Sequence, residues 1–263
     1  MTRRRFIADT WNPTSATLTG DQAAHLARVL RAQPGQIYDI VANGFLHRAE
    51  ITSVTPVAVH FLLHEELEAD TALPLHLLLA IFKFDHLEWG IEKATELGVS
   101  RITPILARRT EKHLAQAAAK RVERWRRIAL EASKQSRRTS IPDIGDPTPL
   151  QPALLATDQT PTRILLSELE QSTPLISALT KPDYPARVPH PSQPHRDGWD
   201  AESSSPETTH ALAIGPEGGW TPEELQLFTD HAWQPVTLGP RILRAETAAI
   251  AAIAIASAHL DPH

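Results

Sequence analysis

Apolar positions along the chain change their period near residue 70. Before it, short β-type runs dominate: QIYDIV, FLHRAEI and VAVHFLL, separated by Asn43-Gly44 and by Thr55-Pro56. Asn-Gly tolerates the positive φ angles of a tight turn, so the first two runs are expected to pair as a hairpin. Upstream, Ala24, Leu26, Val29 and Leu30 form a partial apolar face bounded by Gly20 and Pro34-Gly35. That pattern predicts a helix from about Asp21 to Arg31. The acidic stretch HEELEAD closes the region. A small β-barrel or β-rich module over residues 1–70 follows.

From Leu73 the pattern alternates strand with helix. LHLLLAIF is a nearly continuous apolar run, as expected of a strand covered on both faces. Leu87, Ile91, Ala94 and Leu97 then recur at helical spacing, and Gly98 is placed to cap that helix. RITPIL, RILLSEL, ALAIG and PVTLG read as further strands. Val122, Trp125, Ile128 and Ala132 mark the inner face of a long basic helix. Thr221, Pro222 and Glu224 have the spacing of a capping box with proline at the first helical position. A last helix is expected near Glu246. Strands alternating with helices predict an α/β domain with a parallel sheet over residues 73–263.

Between about 181 and 209 the pattern lapses into Pro, Ser and polar residues, which predicts a mobile surface insertion. His190 and His195 lie in it; its prolines prevent a helix that would hold metal ligands at fixed spacing, so no metal site is expected.

Composition narrows the chemistry. The 263 residues suit one large or two modest domains, and no run of eighteen apolar residues predicts a membrane span. The first residues, MTRRRFIADTW, are basic without the apolar core of a signal peptide. Cysteine is absent, which excludes disulfides, thiolate metal sites and cysteine nucleophiles. A cytoplasmic location is expected. The net charge is −5, yet Arg101–Arg138 holds twelve Lys or Arg against three acids. That run is either a solvated helix face or a phosphate-binding surface.

Two stretches carry candidate chemistry: IGPEGGW from Ile214 and LGPRILRAET from Leu238. Each follows a predicted strand, and ligands of open parallel sheets bind beyond the carboxyl ends of strands. Neither stretch is a Walker A loop or GxGxxG, so neither reads as a phosphate loop of those kinds. Glycine lets the main chain approach a ligand closely, and proline stiffens the turn. The pair is suited to wrapping a small flat ligand with backbone groups; two ordinary βα turns are the alternative.

IGPEGGWTPEEL followed by TLGPRILRAETAAIAAIA resembles the RsmE family of ribosomal RNA methyltransferases, of the SPOUT class. The resemblance extends to FKFDHLEWGIEKATELGVSRITPILARRTE, to EASKQSRRTSIPDI and, near the start, to RRRFI and HLARVLRAQPG. It implies a trefoil-knot methyltransferase domain preceded by a PUA-like domain. It also implies a homodimer, S-adenosyl-L-methionine as cofactor, and N3 of a uridine in 16S rRNA of the small ribosomal subunit as acceptor. On that resemblance Leu166, Ser167, Ile214, Gly215, Pro216, Glu217, Gly218, Gly219, Leu238, Gly239, Ile242, Leu243 and Arg244 are expected to hold the cofactor. The long polar insertion departs from the family pattern.

Methylating the imide N3 requires loss of its proton and in-line placement of the methyl carbon. Arg244 is expected to contact the uracil or its phosphate, and Glu246 to orient the uracil or the cofactor. Glu246 could instead be an acid favoured at a helix N-terminus, and Glu217 is the alternative acid. No residue stands out as the base. Arg5, Arg28 and Arg31 in the small domain, with Arg109 and Arg138 on the α/β domain, are expected to contact RNA phosphates. His25 is expected to pack or cap. Two other readings keep the fold: ribose 2′-O-methylation, and RNA binding without catalysis.

Overall fold

The computed structural model describes residues 5–67, 72–179 and 208–260. The insertion expected at about 181–209 lies almost wholly outside the described residues, with His190 and His195. Contacts divide the chain into two compact units: Met1–Ala72 with Leu130–Ile141, and Leu73–Ala129 with Pro142–His263.

The first unit contains β1 (Arg5–Ile7), β2 (Thr10–Trp11), β3 (Ser15–Thr19), α1 (Gly20–Ala24), β4 (Ile37–Ala42), β5 (Phe45–Val54) and β6 (Ala58–Leu67). They form a curled six-stranded sheet in the order β1-β4-β5-β6-β3-β2. Asn43 and Gly44 adopt φ of 51° and 79° and turn β4 into β5 as the dipeptide requires. The chain steps from one edge of the sheet to the other in two residues. Ala8 N–H donates to Val41 O beside β4, and Asp9 N–H donates to Thr17 O of β3. Leu18, Leu26, Ile40, Ile51 and Phe61 fill the interior.

The helix expected over 21–31 is broken in character. After Ala24 it continues as a π-helical turn over His25–Val29, with Leu30 N–H donating to His25 O, and Arg31 at φ 50° ends it. His25 is exposed at that junction and caps α1, its N–H donating to Asp21 O and Gln22 O. Arg138, expected on the α/β domain, groups with the first unit, because α4 (Val122–Ser136), the helix before it, runs on past the boundary.

The second unit contains β7 (Leu73–Ala80), α2 (Phe84–Glu96), β8 (Val99–Leu106), α3 (Lys112–Ala118), the first half of α4 (Val122–Ser136), β9 (Asp143–Ile144), β10 (Thr148–Pro149) and α5 (Leu150–Leu155). It continues with β11 (Thr162–Leu166), α6 (Leu175–Ala178), β12 (His210–Ile214), α7 (Pro222–Asp230), β13 (Gln234–Val236) and α8 (Ala245–Leu260). All strands pair in parallel in the order β10-β8-β7-β12-β11-β13, with β9 beside β8.

Every residue of β7 is buried, which explains its unbroken apolar run. Leu75, Leu77 and Leu79 face one core with α2 and α8; Leu78 and Ala80 face a second core with α5 and α7. β12 divides the same way, Leu212 and Ile214 against Ala211 and Ala213. This is the period-two alternation of a strand covered on both sides. Gly98, at φ +97°, ends α2 where a side chain would be strained. The basic run of 101–138 is partly neutralised by tertiary partners: Glu88 meets Arg121 and Arg124, Asp143 meets Arg101, and Asp146 meets Arg126.

Candidate functional site

Three adjacent strands, β12, β11 and β13, end side by side, and the segments leaving them enclose a cavity of about 1000 Å³. After β12 the chain turns through Gly215–Gly219, closed by Gly219 N–H donating to Pro216 O at 2.8 Å. Gly219 has φ +70°. Trp220 folds back beneath the turn. It is 7% exposed and packs edge-on against Phe228, ring centroids 4.9 Å apart. A Cβ on Gly215 would come within 3.0 Å of Trp220 Nε1, so glycine there lets the indole seat under the loop. That Nε1 is buried and has no protein partner among the described residues, on a side chain that lines the cavity.

The capping box forms as its spacing predicts. Thr221 N–H donates to Glu224 Oε2 at 2.8 Å, and Glu224 N–H donates to Thr221 Oγ1 at 3.3 Å. Glu224 also does what no local pattern reveals: its Oε1 accepts the Arg108 N–H at 2.7 Å. One buried carboxylate therefore ties the start of α7 to the loop after β8. That loop carries Arg109, whose Nη1 donates to Gly218 O at 2.5 Å. Arg109, expected on RNA phosphates, thus braces the first corner from the cavity wall.

The second corner follows β13. Gly239 has φ +112°, its N–H donates to Thr237 Oγ1 at 3.1 Å, and the Thr237 hydroxyl donates back to Gly239 O at 3.2 Å. Ile242 is 83% exposed on the cavity rim. The third segment follows β11, where Ser167 N–H donates to Val236 O and so ties this segment to the end of β13. Glu170 Oε1 accepts from the Ser172 hydroxyl and from the Ser172 and Thr173 N–H groups. The Ser172 hydroxyl above all holds this carboxyl down at about 2.

All thirteen positions expected to hold the cofactor line the cavity: Leu166, Ser167, Ile214 through Gly219, Leu238, Gly239, Ile242, Leu243 and Arg244. Glu246 does not. It is 3% exposed at the start of α8, with Oε1 2.9 Å from His86 Nδ1. Glu246, expected to orient the uracil or the cofactor, is separated from the cavity by the His86 imidazole it bonds. His86, Lys83, Trp220, Arg241 and Glu168–Gln171 also line the wall and were not singled out as site residues from the sequence. His86 had a signal available, since it opens the helix that leaves the carboxyl end of β7.

Of the residues expected to contact RNA, Arg109 lines the cavity, and Arg5, Arg28, Arg31 and Arg138 belong to the first unit. Arg28 and Arg31 are exposed in the first unit. Arg5 is half-buried, its Nη1 donating to Arg137 O. Arg138 is half-buried beside Ser140, and burial brings its guanidinium down to about 10, still protonated near neutrality.

The cavity suits a ligand with a flat apolar part and a charged part. Leu166, Ile214, Leu238 and Leu243 supply apolar wall, glycine corners supply main-chain groups, and Glu168, Glu170, Glu217, Lys83, Arg241 and Arg244 supply charges of both signs. A parallel sheet with backbone corners at adjacent strand ends defines a protein that holds a nucleotide-like cofactor beyond its strands. Residues 69–257 match the RNA methyltransferase domain family, and the chain belongs to that family. It is 31% identical to ribosomal RNA small subunit methyltransferase E of Synechocystis over 94% of this chain and 74% of that protein. To the Bacillus subtilis protein of the same name it is 32% identical, over 92% and 89%. Its fold matches the Neisseria gonorrhoeae ribosomal RNA small subunit methyltransferase E bound to S-adenosyl methionine, with TM-score 0.70, 27% identity and 98% of each chain covered. A Legionella pneumophila methyltransferase in complex with the same cofactor matches at TM-score 0.72 and 28% identity, again over 98% of each chain. Among the described residues no helix is long and apolar enough to cross a membrane, and no cluster of three metal-ligating side chains is present.

Proposed function

We propose that this RNA methyltransferase transfers the methyl group of S-adenosyl-L-methionine to N3 of a specific uridine of 16S rRNA in the small ribosomal subunit. The observation that carries the reading is the cavity itself. Thirteen positions marked out by the two corner motifs and the end of β11 meet on one wall system at three adjacent strand ends.

The residues fit the cofactor. Leu166, Ile214, Leu238 and Leu243 would flank an adenine, and main-chain groups of the two corners would hydrogen-bond it. The orphaned Trp220 Nε1 adds a donor at the base of the first corner. Bound S-adenosylmethionine supplies an electrophilic methyl on a sulfonium. The chain's own part is to hold the uracil in line, exclude water and favour the N3 anion. Arg244, exposed on the cavity wall, is suited to the uracil carbonyls or the adjoining phosphate.

The same reading gives the second unit a trefoil knot and the first a PUA-like barrel that binds RNA through Arg5, Arg28, Arg31 and Arg138. The short crossing at Ala8–Asp9 between the two edges of the first sheet supports barrel closure. A homodimer working in the cytoplasm belongs to the same proposal, and the exposed Ile242 at the rim supports a second surface packing there.

The test supplies purified protein with methyl-labelled cofactor and either unmodified small subunits or naked small-subunit RNA, followed by mass spectrometry of nucleosides. Label in N3-methyluridine is expected. Label in a 2′-O-methyl nucleoside would keep the fold and overturn the acceptor; cofactor binding without label in either substrate would point to a different RNA.

A further inference from the structure

The cavity wall holds an imidazole with no role assigned above. His86 stands in the first turn of α2, lines the cavity, and keeps 32% of its side chain exposed. Its Nδ1 lies 2.9 Å from Glu246 Oε1, a contact spanning 160 residues of chain. The Glu246 side chain is only 4% exposed, and its Oε2 has no partner among the described residues. Burying a carboxylate with one oxygen unsatisfied is costly. Its bond to the ring is the one return visible for that cost, which marks the pair as more than packing.

We infer that His86, oriented by Glu246, takes the N3 proton of the target uridine. This rests on the methyl-transfer reading above. An ionised carboxylate only accepts hydrogen bonds, so the Glu246 contact keeps hydrogen on Nδ1 and leaves the Nε2 lone pair as acceptor. The proton passes from N3 to Nε2. The N3 electron pair forms the new bond to the methyl carbon, the carbon–sulfur bond breaks, and its electrons neutralise the sulfonium as the thioether leaves. The imidazolium then returns its proton to solvent through its exposed edge.

Charged groups around the ring serve that cycle. Asp85 Oδ2, on the same helix and 78% exposed, lies 3.7 Å from Nε2 and stabilises the imidazolium once formed, as does Glu246 from α8. Lys83 at the start of α2 and Arg244 just before α8 are the cations of the adjoining wall, and Arg109 and Arg241 lie elsewhere around the cavity. These cations favour an anionic uracil. Glu246 is a positioning residue; His86 is the group that meets the substrate.

The test follows single-turnover methyl transfer to small subunits from about pH 5.5 to about pH 9, read as N3-methyluridine. Wild type is expected to rise with pH and level. His86→Asn is expected to lose about 100-fold at that plateau and to keep rising with hydroxide, since solution base must replace the ring. Its cofactor affinity by calorimetry stays within about twofold, because the loss is confined to proton transfer. Independently, nitrogen NMR of labelled wild type should show the neutral His86 ring protonated on Nδ1, opposite to the preference of free histidine. An unchanged plateau and pH profile in His86→Asn overturns the inference, as does a neutral ring protonated on Nε2; both leave the methyl-transfer reading standing. Wild type that binds cofactor but forms no N3-methyluridine overturns that reading and this inference together.

Discussion

Replacing Gly215 with alanine asks whether the first corner is built around the Trp220 indole. The added Cβ would lie 3.0 Å from Nε1 and 3.3 Å from both Cδ1 and Cε2 of that ring. The ring has little room to yield: it packs on Phe228 at 4.9 Å, and Phe228 packs on Trp233 at 5.3 Å. Overpacking a core of this kind costs about 1–3 kcal/mol, and three close ring atoms argue for about 2. That is about a 30-fold loss in the folded-to-unfolded ratio. It corresponds to a Tm lower by about 4–8 °C for a unit of this size. Gly218→Ala is the matched control, since its nearest neighbour is Arg109 Cδ at 3.4 Å on an exposed, adaptable side chain. Its cost should stay below about 0.5 kcal/mol. Gly215 is not among the positive-φ residues, so the comparison isolates packing from backbone strain. Urea unfolding followed by tryptophan fluorescence gives both stabilities, and calorimetric titration gives cofactor affinity, which should fall about tenfold or more in Gly215→Ala as the loop is pushed from its seat. Equal stability and equal affinity in the two variants would refute the reasoning.

Glu224→Ala removes the acceptor of two backbone N–H groups, Thr221 and Arg108, and should cost about 2–3 kcal/mol, against about 1 for Thr221→Ala, which loses only the cap. Denaturant unfolding of the two variants checks the difference. His76 is buried beside Thr103, and burial, with Arg101 second, brings its imidazole from 6.5 down to about 3. The unfolded chain therefore binds the proton more readily. Stability should be full above about pH 6.5 and fall toward pH 3 by up to about 1.4 kcal/mol per pH unit from this residue, a slope that His76→Gln should remove. Arg244→Ala should abolish methyl transfer while leaving cofactor binding nearly intact; full activity in that variant would take Arg244 out of the site.

Much of the frame was legible because it is local physics. The hairpin at Asn43-Gly44, the cap at Gly98 and the box at Thr221–Glu224 are each set by backbone sterics or by hydrogen bonds within a few residues. The apolar run of β7 declared a strand covered on both faces. Less was readable where short elements lack a clear period. Neither β1 nor α5 was foreseen, and α1 was expected as one continuous helix where the chain inserts a π turn. In the site, the motif residues of both corners were visible and do line one cavity.

What the sequence determined by itself is the set of pieces: a β-rich first part, a parallel α/β second part, and two corners suited to a ligand. Strand order, and with it every partnership across the chain, was decided by tertiary structure. Glu224 meets Arg108 across 116 residues, and His86 meets Glu246 across 160. Periodicity shows which face of an element is apolar but not which element will cover it, because that choice depends on the joint packing of all of them. For the same reason the partner of Glu246 could not be read from the sequence. The docking of α8 against α2 puts Glu246 behind His86, and that contact exists only once both helices lie on one face of the sheet.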